Sequence, residues 1–159
     1  MGTPGYRPGH KCLYLPDQRS MFDGDHVLMN GSPKMAPFPD GADSLGDYLR
    51  SLDKVAQLPV AFACMGHGFV DPRRQAEALP ARIAWLRQHH QQRLDAILAR
   101  IHEVPGLTGT ELATSTTWNT PPDTWEANPI IQRRVHVCDT LRHPHTTRGE
   151  RRVRRWHQG

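Results

Sequence analysis

The sequence predicts a protein of the α/β class that ends in a small helical region. Two short apolar segments at residues 11–15 and 19–22, separated by a turn-forming Pro-Asp-Gln, are typical of a β-hairpin. Apolar residues spaced three or four apart indicate a helix over 44–57 and a longer helix over 72–102. A short apolar run at 59–64 lies between these helices and predicts a buried strand.

Each of the two helices has one apolar face. In the first helix this face is formed by Leu45, Tyr48, Leu49, Leu52 and Val55. In the long helix it is formed by Ala76, Leu79, Ile83, Leu86, His90, Leu94, Ile97 and Ile101. We expect Pro80 to split the long helix, because proline removes a backbone donor and clashes with the preceding turn.

The region after the long helix predicts a small appendage. Thr108 and Glu111 have the spacing of a capping box, which opens a short helix. A further helix is expected beyond it, and Pro144 interrupts that helix. The order of elements suits a helix-turn-helix or winged-helix region. We therefore predict two domains, at residues 1–104 and 105–159.

The composition narrows the class of protein. No stretch approaches the roughly 18 consecutive apolar residues of a membrane-spanning helix, so we expect no membrane partner. The apolar fraction of 37% lies below the usual value of about 45–50%, so a compact independent core is not assured. Cys12, Cys64 and Cys138 form no disulfide pattern, which favours reduced thiols and a cytoplasmic location.

The net charge of +4 is unevenly distributed along the chain. Residues 133–159 contain eight arginines and two acidic residues, which gives +6 there and −2 for the rest. Such a tail could bind nucleic acid through phosphate contacts. A solvated terminal segment is the competing interpretation. Pro144 argues against sequence-specific recognition, because it breaks the helix that would enter a groove.

Three short stretches carry residues that could bind a metal: Thr3–His10, Phe22–His26 and Gly66-His67-Gly68. Each places a potential ligand at or near a strand end, beside glycines that allow the backbone to turn sharply. Taken singly, each pattern is more often an ordinary turn or a loop with a solvated imidazole. Five further histidines show no ligand spacing and are expected at the surface: His89, His90, His136, His143 and His145.

In this order and spacing, the three stretches resemble the second half of the metallo-β-lactamase superfamily, in a subgroup with a winged-helix-like C-terminal region. In that family a Thr-Pro-Gly-His motif precedes a hairpin, Phe-x-Gly-Asp follows it, and Gly-His-Gly comes after a helix and a strand. The resemblance implies a partial αββα sandwich and one or two zinc ions. Asp25 matches the carboxylate that bridges the two metals, and His67 matches a histidine ligand of the second metal.

The sequence departs from the family pattern at two points. It contains no His-x-His-x-Asp-His motif, which supplies most of the metal ligands in the family. Tyr6 stands where the family has a histidine ligand, and a phenol with a pKa of about 10 binds zinc poorly at neutral pH. His10 matches a later position that is not a ligand in the family. Asp25 and His67 therefore remain as the candidate metal ligands.

The resemblance implies a metal-dependent hydrolase acting on a thioester, ester, lactam or phosphodiester. We expect these 159 residues to be inactive alone and to associate with a missing N-terminal half or with a second copy. Half of a two-sheet sandwich would expose its apolar inner face, which favours association. Two alternatives remain, a non-catalytic remnant of the fold and a nucleic-acid-binding module that uses the basic tail.

Overall fold

The computed structural model describes residues 1–33, 43–67 and 71–115. In chain order, the secondary-structure elements of these residues are β1 (Leu13–Leu15), β2 (Ser20–Gly24), α1 (Ser44–Ala56), β3 (Phe62–Met65), α2 (Pro72–Glu103) and α3 (Gly109–Thr114). This order confirms the predicted α/β class. The predicted winged-helix region beyond α3, with Pro144 and the basic tail, lies outside the described residues.

The chain divides into two compact units. The first contains Met1–Met35 and Ser44–His90, and the second contains Ala36–Asp43 and Gln91–Gly159. Helix α2 begins in the first unit and continues into the second. The predicted domain boundary after residue 104 stays a prediction.

The three strands form one mixed sheet in the order β1-β2-β3. Strands β1 and β2 pair antiparallel, with Leu13 opposite Phe22, which confirms the predicted hairpin. Strands β2 and β3 pair in parallel, with Met21 opposite Ala63. The connection between these parallel strands contains α1, because a parallel pair needs a crossover rather than a tight turn.

The two faces of this sheet differ in burial. The inner face carries Met21 and Ala63, both fully buried, with Tyr14 packed beside them. It belongs to a core that also contains residues of α1 and of the first half of α2: Leu45, Tyr48, Leu52, Val55, Ala76, Leu79, Ile83 and Leu86. The outer face carries Leu13, Leu15 and Phe22, whose exposed fractions are 57%, 37% and 47%. Three large apolar side chains on one sheet face thus reach solvent.

Helix α2 corrects two expectations from the sequence. It runs unbroken through Pro80, so the predicted split is wrong. Leu79 and Ile83 are buried on either side of the proline, and their burial offsets the roughly 3 kcal/mol that proline costs inside a helix. His90 is 2% exposed rather than at the surface. It follows the apolar spacing of the helix, and its Nε2 lies 3.0 Å from the Ser32 hydroxyl.

Helix α3 confirms the predicted capping box. The Thr108 hydroxyl accepts a hydrogen bond from the backbone N–H of Glu111, and the Glu111 carboxylate accepts one from the N–H of Thr108. These reciprocal bonds satisfy two donors at the helix start. Among the helices that the structure describes, none is both long enough and apolar enough to cross a membrane.

Candidate metal centre

The chain leaves β2 through a tight turn at residues 23–27, called the Asp23 turn below. The backbone N–H of Val27 donates to Oδ2 of Asp23 over 2.6 Å, and that of His26 donates to the Asp23 carbonyl over 3.4 Å. Gly24 has a φ of +61°, a left-handed conformation that glycine adopts without strain. Asp25, the predicted ligand, therefore lies at the centre of a hydrogen-bonded turn.

The structure brings the two predicted metal ligands together. Nε2 of His67 lies 3.3 Å from Oδ1 of Asp25, although the two residues belong to turns after different strands. The backbone N–H of Gly66 donates to the Gly24 carbonyl over 2.7 Å, which joins the two turns. A Cβ at Gly66 would lie 2.7 Å from Oδ1 of Asp25, so only glycine permits this approach. Gly68 lies outside the described residues.

Asp25 and His67 fit part of a zinc site. A carboxylate and an imidazole are both zinc ligands, and these side chains are 35% and 74% exposed. A catalytic zinc takes three protein ligands and a water. Within residues 1–33, 43–67 and 71–115, however, no three His, Cys, Asp or Glu side chains are grouped so as to hold a metal ion. The pair would need further ligands, and its metal-binding role stays a prediction.

Tyr6 packs against His10 in the loop that precedes β1. Their ring centroids are 6.2 Å apart in an edge-to-face arrangement, and the Arg7 guanidinium lies 5.5 Å from the centre of the Tyr6 ring. Nδ1 of His10 lies 2.8 Å from the Thr3 hydroxyl. On its other side, His10 approaches Gly24, where a Cβ would meet Nε2 at 3.1 Å. The loop therefore contacts the Asp23 turn through His10.

A buried polar network lies beneath this contact. The Thr3 hydroxyl is 3.2 Å from Sγ of Cys12, and this thiol donates to Oδ1 of Asp23 over 3.3 Å. All three residues are buried, with Thr3 and Asp23 fully inaccessible. Together with His10, which also contacts Thr3, they connect the segment before β1 to the turn after β2.

Burial shifts the pKa of both ionisable members of this network. It raises the pKa of Asp23 to about 6, while the hydrogen bonds from Val27 and Cys12 act in the opposite direction. Burial, followed by the nearby Asp23 carboxylate, raises the pKa of Cys12 to about 12. Cys12 is therefore a neutral thiol donor at physiological pH rather than a nucleophile.

His26 continues the turn into the core. Its ring stacks on His10 at 5.8 Å and meets Tyr48 edge-on at 5.2 Å, and the Tyr48 hydroxyl donates to its carbonyl over 3.0 Å. Burial lowers the pKa of His26 to about 4, His10 adds to this, and a backbone group of Ser51 opposes it. Neither ring nitrogen has a partner in hydrogen-bond geometry in the described part of the chain. His26 is thus neutral and held by ring contacts.

Sequence reasoning singled out Asp25 but missed Asp23. The signal was the two-residue period of β2, in which Met21 and Asp23 share the inner face while Phe22 points outward. The same period places Cys12 on the inner side of β1, next to Asp23. The alternation of buried and exposed residues along β2 could therefore have predicted that Asp23, two residues before Asp25, is buried.

Comparison with known protein families gives one consistent family. The model of the metallo-beta-lactamase superfamily matches residues 1–67, which include all of the Asp23 turn and end at His67. Lactamase-like protein adaB from Aspergillus niger is 31% identical over 99 residues, which are 62% of this chain and 27% of adaB. The atrochrysone carboxyl ACP thioesterase of Aspergillus fumigatus is 34% identical over 68 residues, or 43% of this chain and 19% of that enzyme.

Solved structures give the same family. A metallo-beta-lactamase family protein from Thermus thermophilus superposes with a TM-score of 0.69 and 30% sequence identity. The match covers 93% of this chain but 42% of that protein. The chain thus spans less than half of its solved neighbour and about a quarter of adaB.

Proposed function

Because the chain belongs to the metallo-β-lactamase superfamily, we propose that it is part of a metal-dependent hydrolase in which Asp25 and His67 are two of the zinc ligands. The observation that carries this proposal is the 3.3 Å approach of the two side chains. They converge from turns after neighbouring strands and both reach solvent, as a substrate-accessible site requires.

A zinc ion held there would lower the pKa of water and polarise a carbonyl or phosphoryl oxygen. The chain itself contributes the position of the two donors. Gly66 allows Oδ1 of Asp25 to approach the turn that carries His67, and the Gly66 N–H fixes the Gly24 carbonyl. Asp25 would then bind the metal through either carboxylate oxygen. His67 would bind it through Nε2, which already faces the carboxylate.

We propose a thioester as the substrate, ahead of an ester, a lactam or a phosphodiester. The support comes from the relative named atrochrysone carboxyl ACP thioesterase, which is 34% identical over 68 residues. Substrate contacts in this kind of fold come from variable loops, so the relative's name bears on the bond that is hydrolysed and not on the acyl group.

We propose that the remaining metal ligands come from a partner segment or a second copy, because residues 1–33, 43–67 and 71–115 group no third donor with Asp25 and His67. The outer face of the sheet supports this, because Leu13 and Phe22 are 57% and 47% exposed and lie opposite each other in register. An apolar sheet face of this kind is usually covered. We accordingly expect no hydrolysis by the 159-residue chain alone.

A chimera tests the proposal. Residues 1–159 replace their structural counterpart in the Thermus thermophilus protein, and the zinc-loaded product is assayed with an acyl N-acetylcysteamine thioester, a p-nitrophenyl ester, a β-lactam and bis(p-nitrophenyl) phosphate. We expect the highest kcat/KM with the thioester and a loss of at least about 100-fold in the Asp25→Asn form. Asp17→Asn, at an exposed hairpin residue, is the matched control and should change nothing. Equal activity in both variants would refute the proposal.

Tyr6 favours one second candidate, a non-catalytic member of the family. A tyrosine at the position of a histidine ligand removes a donor that the fold would otherwise supply. A chimera that is inactive with Tyr6 and active after Tyr6→His would establish this alternative. Activity with Tyr6 in place would exclude it.

The cysteines support a proposed reducing, cytoplasmic setting. Cys12 and Cys64 are both free thiols in the structure. Cys12 uses its thiol hydrogen in the bond to Asp23, so oxidation would disturb the network beside the site.

A further inference from the structure

We propose that Asp23 is a positioning residue, whose buried carboxylate fixes the Asp23 turn and thereby holds the Asp25 carboxylate against His67. The inference rests on the proposed function only for the use made of Asp25. The placement of Asp25 by Asp23 concerns the chain itself and can be tested without a metal.

Asp23 uses its two oxygens on two different partners. Oδ2 accepts the Val27 N–H over 2.6 Å, a bond that spans the turn and encloses Asp25. Oδ1 accepts the Cys12 thiol over 3.3 Å, which ties the turn to the start of the hairpin. One side chain therefore closes the turn and anchors it to the sheet.

The anchor extends to the loop before β1. Cys12 contacts the Thr3 hydroxyl at 3.2 Å, and the same hydroxyl lies 2.8 Å from Nδ1 of His10. The His10 ring packs against Gly24 and stacks on His26 at 5.8 Å. The turn is thus supported on both sides of Asp25 by groups that meet at Asp23.

The opposite side of the turn is held from β3. Gly66 donates its N–H to the Gly24 carbonyl over 2.7 Å, and His67 follows directly. Asp25 therefore sits between a support made by Asp23 and a contact made by Gly66. If the first support is lost, the Asp25 carboxylate is free to move away from His67.

A buried carboxylate is unfavourable on an inner sheet face unless its oxygens are hydrogen-bonded. A small neutral residue at position 23 would pack beside Met21 without that cost. Asp23 is fully buried and uses both oxygens as acceptors, so its contribution is hydrogen bonding rather than packing.

The test compares Asp23→Asn with Asp23→Leu in the 159-residue chain. Asparagine keeps an acceptor for the Val27 N–H, while leucine has a similar shape and no acceptor. The first readout is the nuclear Overhauser contact between the Asp25 and His67 side chains, measured without metal, together with the amide shifts of Gly24 to Val27. We expect wild-type contacts and shifts in the asparagine form and their loss in the leucine form.

The second readout is zinc affinity, measured by competition with a chromophoric chelator. The leucine form should bind about 10-fold more weakly than wild type, and the asparagine form within about 3-fold of it, as for other residues that orient metal ligands. If the wild-type chain binds no measurable zinc because its two ligands are too few, the Overhauser contact alone decides the role of Asp23, and zinc binding by the chimera decides the proposed function.

Two results would overturn the inference: an Asp25–His67 contact that survives in the leucine form, or equal losses in the asparagine and leucine forms. If the leucine form does not fold, Cys12→Ala serves instead, because it removes one donor to Asp23 and leaves the carboxylate in place. A partial loss of the Asp25–His67 contact would then support the inference, and an unchanged contact would overturn it.

Discussion

The two faces of the β1-β2-β3 sheet have opposite characters. The inner face buries Met21 and Ala63 with two helices and includes the hydrogen-bonded Asp23. The outer face leaves Leu13 and Phe22 mostly or about half exposed, at 57% and 47%. Adjacent residues of β2 thus alternate between the buried core and an exposed apolar surface. One layer of packing is complete within the described residues, while the other face remains available for association.

This difference bears directly on the candidate metal centre. On the inner side of the sheet, hydrogen bonds to the Asp23 carboxylate from the Val27 N–H and the Cys12 thiol support the turn that carries Asp25. The pair formed by Asp25 and His67 is exposed and has two donors where a catalytic zinc takes three. The described residues therefore hold the two candidate ligands in position but group no third donor with them.

The largest expected effect distinguishes the two faces by a matched pair of substitutions. Met21→Asp should destabilise the chain by more than about 3 kcal/mol, because it buries an unpaired carboxylate. Phe22→Asp, one residue along, should change the unfolding free energy by about 0.5 kcal/mol or less, because the side chain is exposed. Urea unfolding measures both values. Equal losses would mean that the outer face is as buried as the inner one.

The same pair tests association. If the outer face carries the contact between copies, Phe22→Asp should convert any wild-type dimer into a monomer, as measured by light scattering after size exclusion. An unchanged dimer would place the contact elsewhere.

The next effect concerns pH and the inner face. The folded-state pKa of Asp23 is raised from 3.8 to about 6, so its stabilising contribution is complete below pH 3.8 and is lost as the pH rises through about 6. Asp23→Asn removes this loss and should be more stable than wild type at pH 7, by up to about 3 kcal/mol. The difference should disappear below about pH 4.

His26 also contributes to the pH dependence of the unfolding free energy. Its folded-state pKa is lowered to about 4, so its contribution is present above pH 6.5 and is lost as the pH falls toward 4. The contribution of His26 is the same in wild type and in Asp23→Asn. The difference between their unfolding free energies therefore reports the ionisation of Asp23 alone. A difference that does not change with pH would show that Asp23 has an ordinary pKa.

A smaller effect is expected from Tyr6→His, which restores the residue that the family pattern places there. In the 159-residue chain, this substitution should tighten zinc binding by about 10-fold, or roughly 1.4 kcal/mol, because an imidazole replaces a phenol. Arg7→His is the matched control, since it adds a histidine one residue away at an exposed position. Equal tightening in both would mean that any nearby imidazole suffices and that position 6 is not a ligand position.

The sequence predicted the order of elements well, because each has a clear local signal. The period of apolar residues marked α1 and α2, and the Thr108–Glu111 capping box marked the start of α3. Pro80 shows the limit of local reasoning. Its cost inside a helix is local, whereas the burial of Leu79 and Ile83 that offsets it depends on the tertiary fold.

The site was harder to predict from the sequence than the fold was. Asp25 and His67 were found through their family resemblance, and no spacing rule could place two residues that far apart within 3.3 Å of each other. The role of Asp23 depends on Cys12 and Val27, which only pairing of the strands and the following turn bring to it. His90 followed a helical apolar pattern, and its burial could have been expected from that period alone.

The most direct test of the central claim is the zinc affinity of the 159-residue chain and of the chimera, each with and without Asp25→Asn and His67→Ala. We expect binding to the chimera at least about 1000-fold tighter than to the chain, because further ligands complete the site. Either substitution should remove most of that affinity. Equal affinity in chain and chimera, or affinity that survives both substitutions, would contradict a shared metal site at Asp25 and His67.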